Sequence, residues 1–282
     1  MKHENNIQND QYSVEQIAPD TWRIDEGGMA NAYLAAGDEK ALLIDSGNGT
    51  GNIRKIAEEL TPLPVICAAT HNHPDHVGGF GWYPQYTVMK PDTAILYRFM
   101  SLSWFTRILG AKNGIHVDLP KKPYHPKLIA AENGQVFRLG NRDVRMIAVP
   151  GHTRGSACLV DDKERLVFTG DEVNPSLWMH LPGCTTLEEW LPGAETVADF
   201  VRNGYRAYCG HMDGLQSREQ IEQTIVYGRE LIAMARNGQI TGKEIIYPDS
   251  VRIPQILCRG ERILKRSAKT QQKELPDRKS CS

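Results

Sequence analysis

Residues 71–76 place three histidines and an aspartate, His71, His73, Asp75 and His76, directly after an apolar run at residues 64–70. Such a run reads as a buried strand, so the fold must deliver several imidazoles and a carboxylate to one strand end. Pro74 carries no amide hydrogen and cannot continue a strand ladder, which predicts a turned loop over residues 71–79. Imidazole nitrogen and carboxylate oxygen are ligands for zinc and iron. A solvated polar loop would tolerate the same residues, but metal binding is the usual reason for so close a spacing.

Three further segments repeat this layout. His152 lies in a glycine-bounded loop at residues 149–156, the β-favouring run at 166–171 ends on Asp171, and that at 207–211 ends on His211. Taken singly, each is accounted for by the glycine and polar residues that close strands. Together they place a potential ligand at four strand ends, the way loops on a rigid scaffold assemble a site on one rim.

The remaining pattern supplies the scaffold. Short β-favouring runs at residues 21–25, 30–35 and 41–45 predict an antiparallel meander. Helical spacing over 52–60 crosses to the strand at 64–70, and further strands are predicted at 143–149, 157–160 and 166–168. Thr186 with Glu189, and Ser217 with Gln220, read as capping boxes opening helices toward Val201 and Arg236. This order predicts two central sheets with helices outside.

The chain has 282 residues, 40% of them hydrophobic, enough for a large α/β core. Lys plus Arg number 33 against 34 Asp plus Glu, so no overall field favours nucleic acid or anionic lipid, and neither is expected as a partner. Residues 1–10 lack the apolar stretch of a signal peptide and no run is long enough to span a bilayer, so a cytoplasmic location is expected. Cys67, Cys158, Cys184, Cys209, Cys258 and Cys281 include no C-x-x-C pair, which predicts reduced thiols rather than disulfides or a cysteine zinc site. Residues 1–11 read as a polar tail, 12–264 as one domain, and 265–282 as a charged, disordered tail.

With these motifs in place, the chain resembles the metallo-β-lactamase fold superfamily, in its hydroxyacylglutathione-hydrolase and lactonase-like metallohydrolase branch. H-x-H-x-D-H reads as His71, His73, Asp75 and His76, G-H-T-x-G-S as residues 151–156, T-G-D as 169–171, and the late G-H as Gly210 and His211. Asp45 matches an early structural D-S-G, and the resemblance spans residues 12–263. It implies an α/β fold, a four-layer αββα sandwich, and a dinuclear metallohydrolase. One metal is implied on His71, His73 and His152, the other on Asp75, His76 and His211, with Asp171 bridging. The implied cofactors are two divalent ions, Zn2+ foremost with Fe or Mn as alternatives, which lower the pKa of a shared water. Asp75 is the implied catalytic proton carrier.

The motifs specify fold more closely than substrate. Lactamases of this fold usually lack a carboxylate at the position of Asp171. The glutathione thioesterases carry a basic C-terminal segment with no clear counterpart here, since Arg259, Arg262, Lys265 and Arg266 read as a solvated helix end. The insert at residues 82–125 carries Trp82, Tyr83, Tyr86, Tyr97, Phe99, Trp104 and Phe105, and fits a lid, a packing element or a homodimer contact. Trp178, Met179 and His180, just past Asp171, are expected to line a pocket with Trp104. The expected substrate is a small apolar ester, lactone or thioester. Alternatives on the same fold are a phosphodiesterase, a β-lactamase, a non-catalytic sensor, and a mononuclear iron dioxygenase of persulfides using His71, His152 and Asp171.

Overall fold

A computed structural model of the chain describes residues 11–94, 117–118, 126–181, 183–240, 243–249 and 253–265. Its first sheet follows chain order: β1 (Ser13–Ala18), β2 (Thr21–Asp25), β3 (Asn31–Ala36), β4 (Ala41–Ile44), β5 (Val65–Ala68), β6 (Gln85–Met89) and β7 (Lys127–Ala131). The expected antiparallel meander is β2–β4, preceded by an unforeseen β1. From β4 onward the neighbours are parallel, and helix α1 (Ile53–Leu60) makes the crossover that a parallel pair requires. Asn52 caps α1 by accepting from the Lys55 amide.

The second sheet has the order β14-β13-β11-β10-β9-β8. Its strands are β8 (Gln135–Arg138), β9 (Asp143–Ala148), β10 (Ala157–Asp161), β11 (Leu166–Gly170), β13 (Arg206–Cys209) and β14 (Leu215–Gln216). Only β11 and β13 run parallel, so their C-terminal ends lie side by side, Gly170 opposite Cys209.

Alternation along the strands fixes the layers. Leu34 and Leu43 turn toward Ile53, Ile56 and Ala57 of α1, while Tyr33, Leu42 and Ile44 turn inward against Val144, Leu159 and Phe168 of the second sheet. The far face of that sheet, with Val160, Val167 and Ala207, packs under helices α3 (Leu187–Arg202) and α4 (Arg218–Arg236). The result is the expected αββα sandwich. Both predicted capping boxes are formed, Thr186 with Glu189 and Ser217 with Gln220. Helix α2 (Pro74–Val77) is a refinement: the predicted turned loop contains one helical turn, with Pro74 at its first positions.

A small third sheet, in the order β12 (Ser176–Met179), β16 (Gln255–Arg259), β15 (Glu244–Tyr247), was not foreseen. Its inner face, Leu177, Met179, Ile256 and Cys258, completes the core under α3 and α4. Its register sets Trp178 beside Leu257 and Leu257 beside Ile246, one row on the opposite face.

Within the insert, Tyr83 and Tyr86 are core residues, and Tyr86 stacks on Phe80 with centroids 4.6 Å apart. Trp82 packs partly buried against the same cluster. Tyr97, Phe99, Trp104 and Phe105 lie outside the described residues, as do residues 1–10 and 266–282. The five described cysteines are buried free thiols. No helix among the described residues is long and apolar enough to cross a membrane.

At one rim a buried guanidinium, paired with a carboxylate of its own sheet, joins the two sheets. Arg142, between β8 and β9, donates to Asp161 at the end of β10, to the Asp20 and Ala36 carbonyls (both 3.2 Å) and to Thr21 Oγ1 (2.7 Å). Removing one member strands the other charge in the interior, so Arg142→Met alone should cost about 3–5 kcal/mol. The double variant Arg142→Met/Asp161→Leu should be markedly less destabilised, as read from urea unfolding midpoints. Equal losses for single and double variants would show that the cost comes from Arg142's bonds to the first sheet and not from its pairing with Asp161.

Candidate metal centre

All seven predicted ligands converge on the opposite rim. His71 and His73 follow β5, Asp75 and His76 lie on α2, His152 sits in the β9–β10 loop, and Asp171 and His211 follow the adjacent parallel strands β11 and β13. Three ligand groups gather there: His71, His73 and His152; His71, His76 and Asp171; and Asp75, His76 and His211, with ligand atoms within 4.8 Å of one another in each. Gly210 is required for this approach, because a Cβ there would lie 2.4 Å from His76 Cε1 and 2.6 Å from Asp171 Oδ1.

The far side of four of the five rings fixes their orientation. His152 Nδ1 lies 2.8 Å from the Trp178 carbonyl and His211 Nδ1 lies 2.8 Å from the Met29 carbonyl, and a carbonyl can only accept. His76 Nδ1 donates to Asp45 Oδ2 at 2.9 Å. Thr70 Oγ1 donates to the same oxygen at 2.8 Å, which leaves its lone pair to accept from His71 Nδ1 at 3.1 Å. In all four rings the outward partner holds Nδ1, so Nε2 points into the centre. Second partners of this kind orient metal-ligating histidines.

The inward atoms fit a cation. His71 Nε2 is buried without a hydrogen-bond partner, and a buried nitrogen lone pair in that state is costly unless something coordinates it. His211 Nε2 faces Asp171 Oδ2 at 3.1 Å and Asp75 Oδ2 at 3.5 Å, and His76 Nε2 faces Asp171 Oδ1 at 3.3 Å. Burial, and then the neighbouring histidines, push His71 well below the usual imidazole range, and His73 falls to about 3 for similar reasons. These rings are therefore neutral, the form that ligates. Burial works against charge on His211 as well, but the Asp171 and Asp75 carboxylates outweigh it and lift that ring to about 9. The centre is thus polarised, with neutral His71 and His73 on one side and, on the other, carboxylates that outweigh burial and raise His76 and His211. Access is equally one-sided: His71, His73, His76 and His152 are buried, whereas the side chains of Asp75 and His211 are 33% and 27% exposed.

The residues expected to line a pocket separate. Trp178 is 47% exposed at the free edge of β12, whose carbonyl tethers His152. His180 lies beside it, ring centroids 5.5 Å apart. Met179 is corrected: strand alternation turns its side chain into the core, where it is 1% exposed. Trp104 lies outside the described residues. Sequence reading missed Thr70, the carbonyls of Met29 and Trp178, and Asp92, which holds the loop around His73. Thr70 adjoins the first motif and was findable there, but carbonyls and a lone distant aspartate leave no residue pattern.

The metallo-beta-lactamase superfamily pattern matches residues 25–215. The chain is 28% identical over 222 residues to the acyl-coenzyme A thioesterase MBLAC2 of Gallus gallus, covering 71% of this chain and 73% of that protein. It is 25% identical over 244 residues to the atrochrysone carboxyl ACP thioesterase dmxR1 of Cryptosporiopsis sp., covering 82% and 67%. Among solved structures, the metallo-beta-lactamase from Pontibacter korlensis is similar with a TM-score of 0.56 at 17% identity, covering 77% of this chain and 98% of that one, a likeness of fold alone. Matched over most of its length and carrying the motif histidines at one sandwich rim, the chain belongs to the metallo-beta-lactamase superfamily.

Proposed function

We propose that the chain is a dinuclear metal-dependent hydrolase of thioesters, with related esters and lactones as further substrates of the same chemistry. The observation that carries this reading is the set of four imidazoles whose Nδ1 atoms are tethered outward and whose Nε2 atoms converge with two carboxylates. His71, His73 and His152 would hold one divalent ion, Asp75, His76 and His211 the other, and Asp171 would bridge them. Zinc suits the nitrogen and oxygen donors. Bound ions of this kind supply Lewis acidity toward water and toward a carbonyl oxygen.

The chain's own groups account for the rest. Asp75, a third exposed on the open side, is placed to take a proton from the attacking water and return it to the leaving group. A thiolate leaves readily, so a thioester needs less help from that acid than an amide would. The names of the thioesterase relatives support this class. The row Trp178, Leu257 and Ile246 supports an apolar acyl group, since it starts at the strand edge facing His152 and keeps Trp178 and Ile246 47% and 45% exposed.

Elemental analysis of protein purified without added metal should find about two divalent ions per chain, and a chelator should abolish thioester hydrolysis. Full turnover by metal-free protein would end the proposal. Asp171→Ala should lose both ions and nearly all turnover, because a bridge serves both sites; retention of two ions with near-normal rate would exclude bridging. For Trp178→Ala, kcat/KM should fall about tenfold for a long-chain acyl thioester and little for an acetyl thioester. Roughly 55 Å2 of lost apolar contact at ~25 cal/mol per Å2 is worth that much. Equal losses for both substrates would show that the tryptophan has no part in acyl selection.

A further inference from the structure

Asp92 lies in the 3-10 turn Lys90–Ala94 that follows β6, outside every motif of the metal rim, and is fully buried. Its carboxylate spans two separate loops. Oδ2 accepts from the Asn72 amide at 3.0 Å and from Thr153 Oγ1 at 2.8 Å, and Oδ1 accepts from the Gly155 amide at 2.7 Å. Its backbone carbonyl takes a fourth bond from Asn72 Nδ2 at 3.2 Å. Asn72 sits between His71 and His73, and Thr153 follows His152. One carboxylate therefore joins the two stretches of chain that must meet to form the His71, His73 and His152 ligand set.

The surroundings are shaped around this contact. A Cβ at Gly155 would lie 2.5 Å from Asp92 Oδ1, so only glycine lets the second loop close on the carboxylate. Tyr86 donates its hydroxyl to Asn72 Oδ1 at 2.6 Å, fixing that side chain from the opposite direction. Thr153 is held in turn by its amide, which donates to Ser156 Oγ at 2.8 Å. The other ligand set has different supports: His76 is held by Asp45, and His211 by the Met29 carbonyl. None of the described contacts of Asp92 reaches Asp75, His76 or His211.

We propose that Asp92 is a positioning residue that sets the spacing between the His71–His73 loop and the His152 loop, so that one metal-ligand set depends on it and the other does not. The metal half of this statement rests on the dinuclear reading above; the loop-spacing half does not.

Hydrogen exchange on the purified chain tests the loops directly. In Asp92→Ala the amides of Asn72 and Gly155 should exchange at least about tenfold faster than in wild type. Thr70, whose amide is held by Asp45, and Gly210, whose amide is held by the Gly170 carbonyl, should be unchanged. Asp92→Asn keeps one acceptor oxygen and should fall between, which also provides a folded variant if the alanine form does not fold. Zinc titration of the chelator-treated proteins reads the ligand sets. One binding event should weaken by about 10–100-fold, the usual effect of losing an outer partner, and the other should stay at its wild-type affinity. Unchanged exchange at Asn72 and Gly155, exchange raised alike at all four amides, or equal weakening of both binding events would overturn the proposal. If wild type binds no zinc at all, the dinuclear reading fails, and the exchange data still decide whether Asp92 sets the loops.

Discussion

The Asp45 carboxylate ends β4 in a left-handed backbone conformation, φ 57°, and from that position accepts from the Thr70 amide at 2.7 Å, Thr70 Oγ1 at 2.8 Å and His76 Nδ1 at 2.9 Å. A non-glycine residue in this region is strained by about 1–3 kcal/mol and persists only where its surroundings over-determine it. Here the surroundings are the ends of two parallel strands. β4 and β5 run side by side, so the carboxylate just past the end of one reaches Thr70, the second residue beyond the other. Through Thr70 it orients His71, and directly it orients His76, so two imidazoles from one motif are aimed from one buried charge. Removing that charge would take the outward acceptor from His76 and free the Thr70 hydroxyl from the orientation in which it accepts from His71.

The chemistry-bearing residues were legible because they are side chains that follow strand ends, four of them clustered within residues 71–76 and the other three each preceded by glycine. His71, His73, Asp75, His76, His152, Asp171 and His211 all meet at one rim. The αββα layering was legible because the order of strands and helices calls for two central sheets with helices outside, and the resemblance implied the same sandwich. What the sequence hid depends on contacts distant along the chain. The third sheet pairs β12 with β16 across some 80 residues, and its short strands alternate too briefly to stand out. Met179 was placed in a pocket because proximity along the chain to Asp171 was read as proximity in space, whereas strand alternation sends Trp178 outward and Met179 inward. Asp92 carries no local signal, since its partners come from two loops 20 and 61–63 positions away.

Burial within the centre is graded rather than uniform. His71, His73, His76 and His152 are sealed, whereas Asp75 and His211 border solvent, so a carboxylate and an imidazole form the open side of the centre. Placing a carboxylate at the wet edge and the neutral nitrogens of His71 and His73 in the dry interior suits each group to its surroundings, because charge is expensive to bury.

The clip formed by Arg142 and Asp161 stands at the other end of the same strands that carry the ligands. Strand β10 begins at Ala157 beside the His152 loop and ends at Asp161, four residue steps or roughly 13 Å away. Perturbations that far apart and without shared partners combine nearly additively. The rim facing substrate can therefore accumulate changes in its loops while the rim holding the sheets together keeps the sandwich intact. One scaffold of this build can thus diversify in what it recognises without first having to become more stable.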